Sequence, residues 1–311
     1  MKILYMGTPE LAANILQRLI ESEHEIIGVV TQPDKEKGRG KNVSCSPVKE
    51  VALQNEIPIY QPVKVREAGF VQMVREMAPE AIVVAAFGQI LSKDLLEISP
   101  YGCINVHASL LPKYRGAAPI QYAVINGEKE TGITIMYMDV TIDSGDIILQ
   151  SKISLDPEET GGSLYDKLTC LGADLLLEAL KKIEDGSAIR TPQDHAQATF
   201  VKTIDKTMGN INFTMPAEQI ERLIRGLNPW PSAYTMLEGK TLKLWKATVE
   251  PTSANYSPGE IIEVRKDSFV VMTGDGALVI WELQLEGKKR MTTDAFLRGY
   301  TLKAGTLLGA V

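Results

Sequence analysis

Apolar and polar positions alternate along the first part of the chain in blocks that predict a β-α-β unit. Residues 2–7 form a continuous apolar run, which is typical of a strand buried on both faces. Residues 9–20 repeat apolar positions at helical spacing, with Pro9 near the first turn, and residues 25–31 are apolar again. Repeated units of this kind build a parallel sheet that is covered by helices.

The alternation continues to about residue 184, so we predict an α/β, Rossmann-like catalytic domain with a parallel sheet at residues 1–189. Ligands of such domains bind at the carboxyl ends of the strands. The further predicted strands are 81–86, 102–106, 132–138 and 146–155, and the further predicted helices are 47–55, 66–77, 118–125 and 163–184.

The pattern changes beyond this domain. Residues 190–207 are polar, contain Pro192 and show few periodic apolar positions, so they are predicted to form a linker. Residues 208–311 begin with a helical stretch at 216–225 and continue as short alternating runs separated by turns, which predicts a small OB-like antiparallel β-barrel. The predicted strands of the barrel are 241–248, 259–264, 268–272 and 278–285.

Composition and cysteine usage limit the class of protein. The 311 residues are 44% apolar, which is enough for two cores, and the net charge is -6. The three cysteines, Cys45, Cys103 and Cys170, are far apart and have only three histidines as possible co-ligands, so neither a disulfide framework nor a metal site is predicted. No apolar run has the length of a signal peptide core or a membrane span, and we expect a cytoplasmic protein with no membrane partner.

The most informative polar residues lie where the predicted strand at 102–106 ends. Asn105 and His107 are two apart, so their side chains point to one face. An amide can donate to a developing oxyanion, an imidazole can donate or move a proton, and a carboxylate can orient the imidazole. This set suits acyl transfer without a covalent intermediate. The chemistry alone does not choose among the nearby carboxylates of Asp139, Asp143 and Asp146.

Other interpretations of these residues stay open at this point. His107 can be a structural histidine at a strand end, Asn105 a turn residue, and the three aspartates part of a solvated loop. Ser109 has no base directed at it and no Gly-x-Ser-x-Gly elbow occurs, so a serine hydrolase is not expected. The opening turn at residues 6–10 lacks Gly-x-Gly-x-x-Gly, which argues against a dinucleotide-dependent oxidoreductase, while a non-catalytic RNA-binding module would leave the polar residues unexplained.

Two basic segments and the tryptophans of the tail bear on nucleic-acid binding. Lys35, Lys37, Arg39 and Lys41 lie in a glycine-containing segment that either contacts phosphates or is a solvated loop. The cluster at residues 288–290 either contacts phosphate or protects an edge strand. Trp230, between two prolines, is predicted to be packed, and Trp245 and Trp281 are predicted to lie in the core. The cluster comprises Lys288, Lys289 and Arg290.

Further motifs extend over nearly the whole chain. They are Met6-Gly-Thr-Pro-Glu10, Thr31-Gln-Pro-Asp34, Gly38-Arg-Gly-Lys41, Ser46-Pro-Val-Lys49, Ala86-Phe-Gly-Gln89, Cys103 to Gly116, Ala117-Ala-Pro-Ile120, Thr131-Gly-Ile-Thr134, Asp139 to Asp146, Asn228-Pro-Trp-Pro231, Lys243-Leu-Trp-Lys246 and Thr273-Gly-Asp-Gly276. Together these motifs resemble those of the methionyl-tRNA formyltransferases, a family of folate-dependent formyl transferases. The Asn-x-His-x-Ser-Leu-Leu-Pro segment is the most specific of them.

The resemblance implies transfer of a formyl group from the co-substrate 10-formyltetrahydrofolate to the amino group of initiator methionyl-tRNA, by a cytoplasmic monomer that uses no metal. It implies that Asn105, His107 and Asp143 are catalytic. Asn105 and His107 would donate to the oxyanion, while Asp143 orients His107 and helps to remove the proton from the amine. The implied folate-binding residues are Ser109, Leu110, Leu111, Pro112, Phe87, Gly88, Gln89 and Asp139.

The resemblance also implies which parts of the chain bind the tRNA. In this family the basic loop enters the acceptor arm, with Arg39 at the matching position, and Lys35, Lys37 and Lys41 flank it. The C-terminal barrel, with the 288–290 cluster, is the second implied contact. Related folate-linked enzymes act on a sugar nucleotide, a purine precursor or water, and the basic loop and the barrel argue against these alternatives.

Overall fold

The computed structural model describes residues 1–37, 42–252 and 256–309, which form two compact units. In the first domain the strands are β1 (Lys2–Gly7), β2 (Glu25–Val30), β3 (Lys35–Lys37), β4 (Asn42–Ser44), β5 (Ile59–Tyr60), β6 (Ala81–Ala85), β7 (Cys103–His107), β8 (Arg115–Gly116), β9 (Glu130–Tyr137), β10 (Ile147–Ser154) and β11 (Phe200–Val201). The helices of this part of the chain are α1 (Glu10–Ile20), α2 (Pro47–Gln54), α3 (Ala68–Met77), α4 (Lys93–Leu96), α5 (Pro119–Ile125) and α6 (Gly161–Glu184).

The remaining elements lie after α6 along the chain. They are β12 (Ala233–Leu237), β13 (Lys240–Glu250), β14 (Ile261–Val264), β15 (Phe269–Met272), β16 (Ala277–Leu285), β17 (Met291–Thr292), α7 (Ala217–Gly226) and α8 (Thr293–Gly299), with 3-10 turns at His195–Gln197 and Lys206–Gly209.

The sheet of the first unit has the strand order β10-β9-β7-β6-β1-β2-β5 among the described residues. The five strands from β7 to β5 are parallel, so the predicted parallel sheet is confirmed. Strand β9 runs antiparallel to both β7 and β10. Strand β7 therefore has a hydrogen-bonded neighbour on each side, which fixes the backbone under Asn105 and His107.

The continuous apolar runs form the buried strands of this sheet. Ile3, Leu4, Tyr5 and Met6 of β1 have no exposed surface, and the whole of β6 is buried. Burial of each such aliphatic side chain stabilises the fold by roughly 1.5–3 kcal/mol. The sheet is thus a rigid support for the polar residues that follow its strands.

The second unit has an antiparallel sheet, as predicted. Its strand order is β12-β13-β16-β15-β14, and β17 pairs with β16. The core of this unit includes Ile220 and Ile224 of α7 with Phe269 and Ile280 of the sheet. Strands β12 and β17 and helix α8 are not among the predicted elements.

The predicted packing of Trp230 is wrong, and Trp245 and Trp281, both predicted to lie in the core, are each half-buried. Trp230 is 53% exposed, because its flanking prolines shape the chain but leave the indole at the surface. Trp245 is half-buried and lies beside Arg290, with 4.8 Å between the guanidinium carbon and the ring centroid. Trp281 is half-buried as well and packs against a small apolar cluster, with its indole N–H donated to Thr248.

The two units do not follow the sequence as single blocks. The first comprises Met1–Pro119, Glu130–Ser154 and Tyr165–Val201, and the second comprises Ile120–Lys129, Leu155–Leu164 and Lys202–Val311. The division into a domain at 1–189, a linker at 190–207 and a domain at 208–311 stays a prediction. Part of the predicted linker is nevertheless ordered within the first unit, because β11 pairs with β8. No helix of the described residues is long and apolar enough to cross a membrane.

Candidate active site

Asn105 and His107 lie at the carboxyl end of β7, on the same face of the sheet. Both residues are buried, with 8% and 6% of their surface exposed. In the register of the sheet, Asn105 lies between Val84 of β6 and Met136 of β9, and His107 lies opposite Thr134 of β9. The strand therefore presents both polar groups to one small volume at its end, as the spacing predicts.

The two ring nitrogens of His107 have different partners. The Tyr114 carbonyl oxygen lies 2.9 Å from Nε2. Because a carbonyl can only accept, the hydrogen-bonding pattern assigns a proton to Nε2. Nδ1 lies 3.7 Å from Oδ2 of Asp143, a separation that suits an ion pair but is too long for a hydrogen bond. Nδ1 of the neutral ring is therefore the nitrogen that can take up a proton.

Asp143 is the carboxylate that the fold brings to His107. Its backbone has a φ of 48°, in the left-handed region, and its Oδ2 accepts a hydrogen bond of 2.8 Å from the N–H of Gly116. Gly116 itself has a φ of 112°, and a Cβ there would lie 2.2 Å from the carbonyl oxygen of Val201. Asp139, in contrast, is exposed and accepts from the N–H of Val140 in its own turn. The structure thus separates two carboxylates that spacing alone left equivalent.

Asn105 is 8% exposed and carries an amide donor at the end of β7. Within the described parts of the chain its side chain forms no hydrogen bond. An amide that the described residues leave unpaired at the end of a strand is available to a ligand. An amide N–H beside the imidazole of His107 can bind an oxygen on which negative charge develops.

Gln193 supports the loop that carries Asp143, and sequence reasoning missed it. Its side chain is 6% exposed. The Nε2 group donates to the carbonyl oxygens of Asp143 and Gly145 at 3.0 and 2.8 Å and approaches the sulfur of Met136. The Oε1 atom accepts two hydrogen bonds from Arg115, at 3.2 and 2.7 Å. Because every partner has a single hydrogen-bonding role, the orientation of this amide is determined.

Arg115 is buried without a carboxylate partner among the described residues. It is 3% exposed, and besides Gln193 it contacts Nδ1 of His195 at 3.0 Å. Its guanidinium carbon lies 5.9 Å from the centroid of the Phe200 ring. Arg115 stands inside a motif that the sequence singles out, but Gln193 lies in the predicted linker and has no periodic pattern around it.

The segment at residues 109–112 is held rigidly by hydrogen bonds. The Ser109 hydroxyl donates to the Lys113 carbonyl at 2.7 Å, so it serves the loop. Thr134 donates to the Ser109 carbonyl and accepts from the N–H of Leu111, and Gln150 donates to the Leu111 carbonyl. The segment comprises Ser109 and Leu111, which are buried, and Leu110 and Pro112, which are half-buried.

Phe87, Gly88 and Gln89 follow β6, the neighbour of β7. The Phe87 side chain is 2% exposed and packs in the apolar core, so it offers only its backbone to a ligand. Its carbonyl accepts hydrogen bonds from Thr8 and Gln32, both at 3.2 Å. Gly88 is exposed with a φ of 83°, and Gln89 is half-buried. The exposed backbone at Gly88 is the accessible part of this segment.

Two other kinds of chemistry, attack by the Cys103 thiolate and catalysis by a bound metal ion, were considered against the described residues. Burial raises the pKa of the Cys103 thiol, at the start of β7, to about 12, so it is not a thiolate at neutral pH. In the part of the chain that the structure describes, no group of three or more His, Cys, Asp or Glu side chains could hold a metal ion.

The structure describes some of the predicted RNA-binding residues and not others. Lys35 and Lys37 lie on β3, which pairs with β4. Arg39 and Lys41 lie outside the described residues. Lys288, Lys289 and Arg290 are exposed. Arg290 forms an ion pair of 2.5 Å with Glu282, whereas neither lysine has a carboxylate within 4.0 Å among the described residues.

Comparison with known families decides the class of this chain. A family model described as "Formyl transferase" matches residues 1–180, and one described as "Formyl transferase, C-terminal domain" matches residues 203–301. The chain belongs to the formyl transferase family. This formyl transferase is 55% identical over 306 residues to a protein of Agathobacter rectalis named methionyl-tRNA formyltransferase, a match that covers 98% of this chain and 99% of the relative. It is 50% identical to a protein of the same name from Clostridioides difficile, covering 99% and 100%.

Solved structures share the fold of this formyl transferase at lower identity. One is the sugar 3N-formyl transferase WlaRD, determined in the presence of dTDP and 5-N-formyl-THF, with a TM-score of 0.68, 22% identity and coverage of 93% of this chain and 99% of that chain. Another is an N-formyltransferase from Helicobacter canadensis, in complex with folinic acid and dTDP-3-aminofucose, with a TM-score of 0.67, 19% identity and coverage of 94% and 100%. At these identities the similarity shows the fold alone.

Proposed function

We propose that this chain transfers a formyl group from 10-formyltetrahydrofolate to the amino group of initiator methionyl-tRNA. Relatives that are named for this activity are about half identical to it over nearly the full length of both chains. The observation that carries the chemistry is the amide of Asn105, unpaired among the described residues, beside the His107 and Asp143 pair. This arrangement supplies an oxyanion donor and a proton acceptor together.

The residues around Asn105 fit a folate that carries a formyl group. When bound, this co-substrate supplies an acyl donor whose carbonyl oxygen becomes negatively charged during attack. The unpaired Asn105 amide can receive that oxygen, and the rigid segment from Ser109 to Pro112 begins two residues after His107. The proposed folate-binding residues are Ser109, Leu110, Leu111, Pro112, Gly88, Gln89 and Asp139, with Phe87 contributing only its backbone.

The hydrogen bonds of His107 support a mechanism that differs from the one implied by the family resemblance. Since Nε2–H is donated to Tyr114, the neutral ring has no N–H left for the oxyanion. We therefore assign the oxyanion to Asn105 and assign proton removal from the methionyl amine to Nδ1 of His107. Asp143, 3.7 Å from Nδ1, stabilises the imidazolium that forms. His107 then holds the proton at Nδ1 for the leaving nitrogen.

The acceptor is proposed to be an RNA because basic segments occur in both units. Lys35, Lys37, Arg39 and Lys41 of the first unit are proposed to contact the acceptor arm, and the lysines of the C-terminal cluster are proposed to contact phosphates. Arg290 is the weakest of these assignments, since its charge is paired with Glu282.

One assay tests this function. The purified protein is incubated with 10-formyltetrahydrofolate and either charged initiator tRNA or charged elongator tRNA, and formylmethionine is measured after hydrolysis of the ester. We expect formylation of the initiator tRNA and much less of the elongator tRNA. A dTDP-linked amino sugar is a third acceptor, because structural relatives act on sugars. Formylation of the sugar with no product from initiator tRNA would overturn the proposal.

A further inference from the structure

Phe200 is an aromatic side chain that the fold leaves exposed beside the active site. It is 68% exposed, although it lies on a strand, β11, that pairs with β8. Register places Phe200 directly opposite Arg115, and the ring faces the buried guanidinium at 5.9 Å. One side of the ring is thus supported by a fixed cation, while most of the ring surface is open to solvent.

The position of this ring relative to the catalytic carboxylate follows from the hydrogen bonds of β8. Gly116, the residue after Arg115, donates its N–H to Oδ2 of Asp143 at 2.8 Å and pairs with Val201. Neighbouring strands lie about 4.8 Å apart and successive Cα atoms 3.8 Å apart, so Phe200 lies on the order of 10 Å from the Asp143 carboxylate. The Arg115 side chain, on the same face as Phe200, reaches Gln193, which in turn holds the Asp143 loop.

The proposed substrate has an aromatic group at this range. Its reacting amine belongs to an amino acid that is esterified to the terminal ribose of the tRNA, and the same ribose carries adenine. When the amine lies at His107 and Asp143, the adenine must therefore lie within a few bond lengths of the reaction centre. Stacking on aromatic side chains is a common way in which proteins bind unpaired bases.

We infer that Phe200 is the stacking platform for the 3′-terminal adenine of the charged tRNA, with Arg115 fixed behind the ring. This inference rests on the proposed function. The buried cation strengthens the site in two ways, because it polarises the ring and because, lacking a carboxylate partner among the described residues, it attracts the neighbouring phosphates. Single exposed apolar residues are common on protein surfaces. Phe200 differs from them because the Arg115 guanidinium lies against its ring and because it lies close to Asp143.

Steady-state kinetics separate this role from a structural one. We compare Phe200→Ala and Phe200→Tyr with Ile189→Ala, a control that removes a 75% exposed apolar side chain from the same unit. Loss of one stacked base typically weakens binding about 5- to 100-fold, so Phe200→Ala should raise KM for charged tRNA by that factor. KM for 10-formyltetrahydrofolate should stay unchanged, Phe200→Tyr should restore the tRNA KM, and Ile189→Ala should behave as wild type.

Binding of uncharged tRNA gives a second readout that does not need catalysis. Wild-type protein should bind tRNA ending in CCA more tightly than the same tRNA without its terminal adenosine, by the same 5- to 100-fold, while Phe200→Ala should bind both equally. Equal affinity of the wild-type protein for the two RNAs, or an undiminished preference in Phe200→Ala, would overturn the inference. If the wild-type protein formylates initiator tRNA in the assay above, either result leaves the proposed function standing, so the two failures are distinguishable.

Discussion

Arg115 in the first unit and Arg290 in the second each have a guanidinium beside an aromatic ring, yet their surroundings differ. Arg115 is 3% exposed and is held by the neutral side chains of Gln193 and His195. The Arg290 side chain is 45% exposed and is paired with Glu282. The buried arginine is fixed by its hydrogen bonds, whereas the exposed one shares its surface with the like-charged side chains of Lys288 and Lys289.

This difference indicates how each region contributes to function. Around Arg115 the polar groups are buried and joined by hydrogen bonds, so the loss of one group displaces the others or leaves them unpaired. Around Arg290 the contacts are exposed, and Lys288 and Lys289 provide further positive charge. Single substitutions should therefore have large effects on catalysis in the first region and small, salt-dependent effects on RNA binding in the second.

The largest effect is expected from Asn105→Ala. Removal of one oxyanion donor costs about 10² to 10³ in kcat. The free energy of unfolding should change little, because the Asn105 amide makes no hydrogen bond in the described structure that the change would remove. Both quantities are measured on the purified variant, by formylation kinetics and by urea unfolding, with the exposed Asn55→Ala as the control.

A combined result for Asn105→Ala is decisive. Turnover near that of the wild type would contradict the oxyanion role. A loss of activity that is accompanied by an equal loss of stability would instead show that Asn105 is a structural residue, and would remove the contrast between the two regions.

A smaller but still large effect is expected from Gln193→Ala. This change removes the two donors that hold the carbonyls of Asp143 and Gly145, and a displacement of about 1 Å at a reactive group can cost 10²-fold in rate. We expect kcat to fall by about 10- to 100-fold with little change in either KM. The control is Gln197→Ala, which removes an exposed glutamine from the same segment.

Gln193→Glu identifies which partner of this residue matters. A carboxylate would still accept from Arg115 but would face two carbonyl oxygens with no N–H to donate. If support of the Asp143 loop is the role of Gln193, the glutamate variant should be as inactive as the alanine variant. Activity close to that of the wild type would mean that Gln193 acts only through Arg115.

Local patterns in the sequence predict one half of this site. Asn105 and His107 lie two apart at the end of an apolar run, and that pattern alone predicts their common face and their place at a strand end. Asp143 is different, because its choice over Asp139 depends on a backbone turn with a φ of 48° that no pattern of residue types reveals. The family resemblance, rather than periodicity, singled it out.

The other half of the site depends on contacts between distant segments. Gln193 lies 78 residues beyond Arg115, in a polar stretch without periodicity, and reaches it only because β11 pairs with β8. A two-residue strand is too short to leave an alternating pattern. The same limit explains why the exposure of Phe200 and of Trp230 could not be predicted.

The smallest effect is expected in the C-terminal cluster, from Lys288→Glu combined with Lys289→Glu. Each lost phosphate contact lowers the slope of log affinity against log salt by roughly 0.7 to 0.9. The double change should therefore raise KM for charged tRNA a few-fold at low salt and have no effect at high salt. The value of kcat should stay unchanged. Lys266→Glu combined with Lys303→Glu is the matched control, since it changes the net charge equally at exposed positions of the same unit. An equal rise in KM for both double variants would show that total charge, and no particular surface, attracts the RNA. An unchanged salt slope for the Lys288 and Lys289 variant would remove this cluster from the RNA-binding surface and leave the basic segment from Lys35 to Lys41 as the remaining proposed phosphate contact.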